Sequence, residues 1–265
     1  MNSICLACLI YTLEDKPVED NMYLSIFFVW LSKVIQSGGL TSNDMIHIHV
    51  DSRTMAYFQN TSMVFPCLIQ RIPCPYMIYV ITPPKTPLEG MMNKYNFTEY
   101  TQDIYIYCDI DILISNPFSI MTQHMVPDMV YVCPEGPLKN HLYSAGFPDD
   151  FLISDTMAGF SAGKFAITGK ALRDTLFTRI RQVCDYSSTH YTVEQPFFNR
   201  AVYGIDAVDY GLLFSFVSFN GQDFDVSTTV FHDLAGNPGN GSEHMNRMIG
   251  TLCLYLSGYY SRPVK

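Results

Sequence analysis

Two aspartates, Asp109 and Asp111, lie one residue apart within a long apolar run. The run predicts an interior strand of an α/β sheet, with both of its faces covered. Buried carboxylates are costly to dehydrate, and two on the same side of a strand end repel each other. A divalent cation, which prefers hard oxygen ligands, is the usual way to relieve that repulsion. The pair therefore predicts a metal site at the carboxyl edge of a sheet, where open α/β folds bind their ligands.

The composition indicates a folded acidic protein with a large core. Of the 265 residues, 48% are apolar and only 15% are charged, against about 25% charged in typical globular domains. The net charge is −9 and there is no basic run, which argues against nucleic-acid binding. No stretch approaches the roughly 20 apolar residues of a membrane span. The first apolar run, residues 4–11, predicts a strand rather than a signal peptide, and we expect a cytoplasmic or virus-encoded protein.

The eight cysteines are scattered along the chain and several lie inside apolar runs, where cysteine behaves as a small hydrophobe. We expect all of them to be reduced thiols. Cys5 and Cys8 have the spacing of metal ligands, but their odd offset on a predicted strand would point them to opposite faces.

Extended and helical segments alternate along the chain, which predicts one α/β domain over residues 1–265 with a sheet and flanking helices. The first helix is expected to end at Gly38-Gly39. Further helices are predicted at 88–97, 170–183 and 194–203, with a last one beginning near Glu243. A long surface loop or lid is predicted at 134–150. Extended segments are predicted at 4–11, 45–51, 63–69, 77–81, 104–114, 129–133, 160–168, 212–219 and 228–231.

Four segments occur in the order found in GT-A-fold glycosyltransferases. Residues 107–114 resemble their Asp-X-Asp strand, and residues 159–165 resemble their phenylalanine-asparagine-small-glycine strand. Residues 194–199 resemble their Asp-Gln helix start, and residues 230–236 resemble their closing histidine turn. The resemblance is strongest to the retaining family 8 enzymes, which include glycogenin and bacterial galactosyltransferases, and it covers roughly residues 4–245.

This resemblance implies a Rossmann-like GT-A domain with a mixed, mostly parallel central sheet. Residues 1–115 would form the nucleotide-binding half and residues 116–265 the acceptor side. The implied reaction moves a sugar from a nucleotide-diphosphate sugar, most often UDP-linked, to a glycan, protein or small-molecule acceptor, with retention of configuration.

The resemblance also implies a metal site and a reaction centre. Asp109, Asp111 and His232 would hold Mn²⁺ or Mg²⁺, which stabilises the departing diphosphate as a Lewis acid. Gln195 would lie near the anomeric carbon, and Glu194, where the family usually has aspartate, would bind sugar hydroxyls.

Asp155 is a weaker third candidate, either for the donor sugar or as the base of an inverting enzyme.

The nucleotide is expected to bind at the ends of the first two strands and along the glycine-rich segment that follows His232. Glycines there would let backbone amides approach the phosphates. The lysine that the family carries after its histidine turn is missing, and we expect Arg247 to replace its charge. The candidate contacts are Thr12, Asp51, Asp109, Ser161, Gly236, Gly239, Asn240 and Arg247.

Other interpretations of the same residues remain open. Asp51 is also suited to a strand-end turn, His232 to the core, and Glu194 to the N-terminus of a helix. The alternation of His47, His49 and Asp51 is explained by a half-exposed strand face.

Two other protein classes are also compatible with the sequence. A haloacid-dehalogenase-like phosphatase also places Asp-X-Asp after an apolar strand and would use Asp109 as its nucleophile. However, Ile112 and Leu113 stand where that class has small residues. A non-catalytic sugar-nucleotide-binding or glycan-binding relative is the third interpretation.

Overall fold

The computed structural model describes residues 2–60, 62–96, 99–188, 193–219 and 227–234. The strands are β1 Ile4–Ile10, β2 Met45–Asp51, β3 Tyr76–Ile81, β4 Ile104–Cys108, β5 Ile112–Ile114, β6 Val130–Pro137, β7 Ala158–Thr168, β8 Val208–Asp209, β9 Val217–Phe219 and β10 Phe231–Asp233. The α-helices are α1 Tyr23–Ser37, α2 Ser52–Asn60, α3 Val64–Ile69, α4 Pro87–Met92, α5 Ser119–Thr122, α6 His141–Ser144, α7 Lys170–Val183 and α8 Gln195–Val202. No helix within these ranges is long and apolar enough to cross a membrane.

Within the described residues, seven strands form the central sheet in the order β3-β2-β1-β4-β7-β6-β8. Strands β3, β2, β1 and β4 are parallel to one another, whereas β7 runs antiparallel to both of its neighbours, β4 and β6. This confirms the predicted α/β class with a mixed, mostly parallel sheet. A second sheet of three short strands has the order β5-β10-β9.

Both faces of the central sheet are covered, which is why β1 is apolar along its whole length. All seven residues of β1 are buried. Cys8 packs in the apolar layer that contains α1, and Cys5 packs in the layer that contains α7 and α8. The two thiols therefore face opposite sides of the sheet, as their spacing predicted.

Helix boundaries follow local signals in two places. Helix α1 ends at Gly38-Gly39, and Gly39 has φ +65°, a conformation that favours glycine. Helix α7 has the predicted bounds and follows Gly169, which has φ +95°.

Several predicted segments differ from the structure, and among them the strand predicted at 228–231 begins only at Phe231. Residues 63–69, predicted as extended, contain α3, because Phe65 and Leu68 are three residues apart and bury one helical face. Residues 212–219 were predicted as one strand, but Leu213–Phe216 is a 3₁₀-helix that precedes β9. The predicted loop at 134–150 is partly regular, because β6 continues to Pro137 and α6 follows it.

The half-exposed face predicted for β2 is also wrong. His47, His49 and Asp51 are all at most 1% exposed. Their face of the sheet is covered, and the ring of Tyr79 on β3 lies 5.4 Å from the ring of His49.

Burial of these histidines makes the stability of the protein sensitive to acid. Burial lowers the pKa of His47 and of His49 from 6.5 to about 4. At these two groups the unfolded chain therefore binds more protons than the folded protein between these values, and the stability that the two groups contribute is lost as the pH falls from 6.5 toward 4. For both histidines together we expect the free energy of unfolding to fall by roughly 2–4 kcal/mol between pH 7 and pH 5.

Urea unfolding of H49F and of the natural protein at both pH values isolates the share of His49, because the other titrating groups are common to the two chains. The fall in the free energy of unfolding between pH 7 and pH 5 should be smaller in H49F by roughly 1–2 kcal/mol. The matched control is H124F, because His124 is exposed and its replacement should leave the pH dependence as it is. A pH dependence that is the same in H49F as in the natural protein would contradict the assignment.

Candidate active site

The two aspartates lie where the chain passes from one sheet to the other. Strand β4 ends at Cys108, the amide of Ile112 donates to the carbonyl of Asp109 at 3.1 Å, and β5 follows in the second sheet. The predicted continuous strand at 104–114 is therefore two strands joined by a turn that carries both acids. Because β4 is parallel to β1, the turn lies at the carboxyl edge of the central sheet.

A pocket of ≈ 250 Å³ opens beside this turn. Its walls are formed by parts of β1, the segment after β1, α4 and the residue before Glu194. Its lining includes Tyr11, Tyr23, Met91, Asp109, Asp111 and Val193.

Asp109 is held on several sides. Its Oδ1 accepts a hydrogen bond from the hydroxyl of Tyr107 at 2.6 Å and lies 3.7 Å from the Nζ of Lys94. Its backbone amide donates to the carbonyl of Gly163 at 2.7 Å. Burial raises the pKa of Asp109, and the positive charge of Lys94 offsets part of that effect.

Lys94 links this acid to the predicted reaction centre. Its side chain is fully buried, and its Nζ lies 2.6 Å from Oε1 of Glu194 and donates to the carbonyl of Ala162 at 3.1 Å. Burial alone would lower the pKa of Lys94, but Asp109 and Glu194 outweigh burial and raise it. Lys94 is therefore a fixed cation between the Asp-X-Asp turn and the start of α8.

Asp111 has a different environment, with more negative than positive charge around it. Burial raises the pKa of Asp111 to about 8, and the neighbouring charges of Asp109 and Asp233 act in the same direction. The carbonyl of Asp111 accepts a hydrogen bond from the amide of Leu234 at 3.0 Å. Leu234, which directly follows β10, is thereby fixed beside the Asp-X-Asp turn.

A second buried lysine connects the two sheets. The Nζ of Lys164 on β7 lies 2.6 Å from Oε1 of Glu135 on β6 and 2.6 Å from Oδ2 of Asp233 on β10. It also donates to the hydroxyl of Ser161 at 3.3 Å. The predicted donor contact Ser161 is buried and takes part in this polar cluster.

The start of α8 places Glu194 and Gln195 against β7. Glu194 is 3% exposed, and Oε1 of Gln195 accepts a hydrogen bond from the amide of Ala162 at 3.4 Å. Just before them, Val193 has φ +55°. This conformation is strained for a β-branched residue, and such strain concentrates at functional sites.

Thr12 and Asp51 lie together at the carboxyl ends of β1 and β2, as expected, but the carboxylate of Asp51 is already engaged. Its Oδ2 accepts from the amide of Thr12 at 2.9 Å. Its Oδ1 accepts from the amides of Arg53 and Thr54 at 2.9 and 3.1 Å, which caps α2. Thr12 lines a second pocket of ≈ 240 Å³ that shares Tyr11 with the first.

The structure does not bring Asp155 into the cluster. Its side chain is 87% exposed and pairs with Lys139 at 2.9 Å on the surface.

Nor does the structure gather the three predicted metal ligands. His232 is 1% exposed within β10, where burial lowers its pKa to about 4. Among residues 2–60, 62–96, 99–188, 193–219 and 227–234, no group of three or more His, Cys, Asp or Glu side chains is arranged to hold a metal ion. The residue of β10 whose charge raises the pKa of Asp111 is Asp233. The predicted contacts Gly236, Gly239, Asn240 and Arg247, and the helix expected near Glu243, lie outside the described residues.

Sequence reasoning missed Lys94 and Lys164, although one signal for them was present. Lys164 interrupts the apolar strand at 160–168, and Lys94 is followed by Tyr95 in an apolar helix. A lysine in such a position is seldom buried unless it is paired with an acid. The identity of the acids required the fold, because Glu135, Glu194 and Asp233 are all distant in sequence.

Gly163 touches Asp109 so closely that a methyl group there should displace the carboxylate. A Cβ at Gly163 would lie 2.6 Å from Oδ2 of Asp109, which is the movable end of that side chain. In G163A we expect the predicted metal site to bind Mn²⁺ about 10-fold more weakly, because displaced ligand geometry weakens metal binding. The free energy of unfolding should change by less than about 1 kcal/mol.

A metal titration and a urea denaturation measure the two quantities. The control is G211A, because a Cβ at Gly211 would meet no heavy atom within 4 Å. Equal affinities for Mn²⁺ in the two variants would show that Asp109 is not a metal ligand.

No protein-family model and no curated protein matches this chain. The fold is similar to that of solved structures, including a crystal structure of an active-site variant of LgtC that has glutamate in place of glutamine. LgtC is a family 8 GT-A galactosyltransferase. The TM-score is 0.54 at 14% sequence identity, over 93% of this chain and 95% of that chain. At this identity the likeness shows the fold alone, which is the GT-A glycosyltransferase fold.

Proposed function

We propose that the protein is a metal-dependent glycosyltransferase that uses a UDP-sugar and retains the configuration at the transferred carbon. The observation that carries the proposal is the placement of the Asp-X-Asp turn in a pocket at the carboxyl edge of a GT-A-type sheet, with Lys94 joining Asp109 to Glu194. Donor site and reaction centre are thereby part of one hydrogen-bonded and ion-paired arrangement.

The donor set on the pocket wall fits a hard divalent cation. Asp109 and Asp111 offer carboxylate oxygens. Burial, and then repulsion by Asp109 and Asp233, raise the pKa of Asp111, and a cation bound there would favour the charged carboxylate. Bound there, Mn²⁺ or Mg²⁺ would stabilise the negative charge on the departing diphosphate. His232 remains a proposed ligand on family order alone.

Glu194 and Gln195 are proposed to bind and stabilise the donor sugar. Lys94 fixes the carboxylate of Glu194, and the amide of Ala162 orients the side chain of Gln195. The glutamine that is replaced in the LgtC variant is an active-site residue of that protein. We propose Gln195 as its counterpart, because the sequence motifs occur in the same order. An amide oxygen beneath the anomeric carbon would stabilise the positive charge that develops on the sugar.

The aromatic walls of the pocket are proposed to contact the nucleotide, with Tyr11 between the two cavities and Thr12 beyond it. Asp51 is proposed to act by holding the backbone of Thr12. Phosphate contacts from Gly236, Gly239, Asn240 and Arg247 and a sugar contact from Asp155 remain proposals from the resemblance, as does the division into nucleotide and acceptor halves.

A screen of nucleotide sugars for Mn²⁺-stimulated hydrolysis tests the function directly. Release of UDP from one donor, dependent on Mn²⁺ or Mg²⁺, is the expected result, and NMR of the released sugar reports its anomeric configuration. Hydrolysis of a generic phosphate ester without nucleotide-sugar turnover would instead support the phosphatase. Metal-dependent binding of a UDP-sugar without any turnover would support a non-catalytic relative.

Gln195 should affect turnover more than donor binding. In Q195A we expect kcat for donor hydrolysis to fall by about 10²-fold, because the lost amide acts mainly on charge that develops in the transition state. KM for the donor should change by less than about threefold. Steady-state kinetics measure both, with Q123A, an exposed glutamine, as the control. A large rise in KM at constant kcat would assign Gln195 to binding alone.

A further inference from the structure

Strand β3 forms an open edge of the central sheet. It is the outermost strand, and among the residues that the structure describes it pairs only with β2. Its exposed side chains are large and apolar and lie on both faces. The exposed fraction of these side chains lies between 42% and 51%. The residues are Tyr76, Met77, Tyr79 and Val80.

This edge lacks the features that normally prevent strand pairing between molecules. Exposed edges usually carry a lysine, an internal proline or a bulge. Residues 72–84 contain no charged side chain, although the whole chain has a net charge of −9. The prolines at 73, 75, 83 and 84 all lie outside β3, and its register with β2 is unbroken over six residues.

We propose that β3 is the dimer interface of this protein, where two copies pair through antiparallel β3 strands and join their sheets. A two-fold axis perpendicular to the sheet keeps each side chain on the same face of the joined sheet. Side chains on one face of a strand recur every second residue. The two residues of each pair must therefore differ by an even number of positions. An axis at Ile78 meets this condition and pairs Tyr76 with Val80, Met77 with Tyr79, and Ile78 with itself.

These pairs favour a second copy over an unrelated chain. Aromatic with β-branched and aromatic with sulfur-containing side chains are favourable neighbours across antiparallel strands. Because the strand supplies both members of each pair, one sequence completes the interface, as an isologous two-fold contact requires. The lack of charge at the edge lets two acidic molecules approach without like charges in contact.

Measurement of the molar mass of the full chain in solution tests the proposal. Since one strand per subunit makes a small interface, we expect a concentration-dependent shift toward twice the 30.1 kDa chain mass. M77K and V80K should each remain at the mass of one chain, because the lysine would replace an apolar member of a cross-strand pair. V126K, at an equally exposed valine elsewhere, should dimerise as the natural chain does.

The register is tested by oxidative cross-linking in a C67S background, which removes an exposed native thiol. I78C should form a disulfide-linked dimer, because position 78 faces its own copy. M77C should not, because two copies of position 77 lie too far apart for a disulfide. A natural chain that stays monomeric at all concentrations, a dimer that survives both lysine variants, or cross-linking of M77C but not I78C would each overturn the proposal.

Discussion

In D111N, Mn²⁺-stimulated hydrolysis of the nucleotide sugar is expected to fall by about 10²–10³-fold, the size of loss seen when an electrostatic contact to a departing group is removed. The asparagine keeps the shape of the side chain but lacks the charge that attracts the cation. Activity with the cognate donor, measured across a Mn²⁺ titration, reports the loss and shows whether excess metal recovers any of it.

The same substitution should not weaken the fold. Burial raises the pKa of Asp111 to about 8, so ionisation of this group is less favourable in the folded protein than in the unfolded chain. Its charge therefore opposes folding increasingly as the pH rises from 3.8 toward 8. The free energy of unfolding of D111N at pH 7.5 should equal or exceed that of the natural protein. D150N, at an exposed aspartate, is the control for both measurements.

A loss of activity together with unchanged or higher stability identifies a group that is kept for function and not for the fold. If D111N hydrolyses the donor as fast as D150N does, Asp111 does not hold the catalytic cation. The metal-dependent mechanism would then be wrong, whereas the fold assignment would stand.

The second large effect concerns stability. In K164M the carboxylate of Asp233 stays buried without its cation, and we expect the free energy of unfolding to fall by about 3–5 kcal/mol. The double variant K164M/D233N should recover much of this loss, because it also removes the stranded charge. Glu135 is partly exposed to solvent and should contribute less than Asp233.

Urea denaturation of the single and double variants gives the coupling energy between Lys164 and Asp233. The matched control is K139M, which removes a lysine whose pair with Asp155 is exposed and should change stability by less than about 1 kcal/mol. If K164M is no less stable than K139M, the buried ion pair does not anchor β10 to the central sheet.

The sequence allowed the main sheet to be predicted where one pattern was decisive. The fully apolar β1 and β4 indicated strands covered on both faces, and Gly38-Gly39 marked the end of α1. Residues 63–69 show the limit of this approach. A short apolar run fits either a strand or a helix, and only the packing of Phe65 and Leu68 decided between them.

Asp109, Asp111 and Glu194 were candidates from the sequence, whereas Glu135, Asp233 and the two buried lysines were not. The spacing of Asp109 and Asp111 indicated repelling carboxylates, which is a local property of the chain. The partners of Lys94 and Lys164 come from strands and helices far apart in sequence, so their pairing depends on topology. Asp51 was placed at the correct edge, but the engagement of its carboxylate with three backbone amides is a property of the folded turn.

The break between β4 and β5 has a consequence for the lifetime of the protein. The acids lie on the connection between the central sheet and the three-stranded sheet, so a donor held by both acids would bind only while this connection keeps its native geometry. Ligands that bind only the native state resist its opening in proportion to their concentration. Cleavage of the three-stranded part by proteases should therefore slow as the donor becomes abundant, which would tie the persistence of the protein to the supply of its substrate.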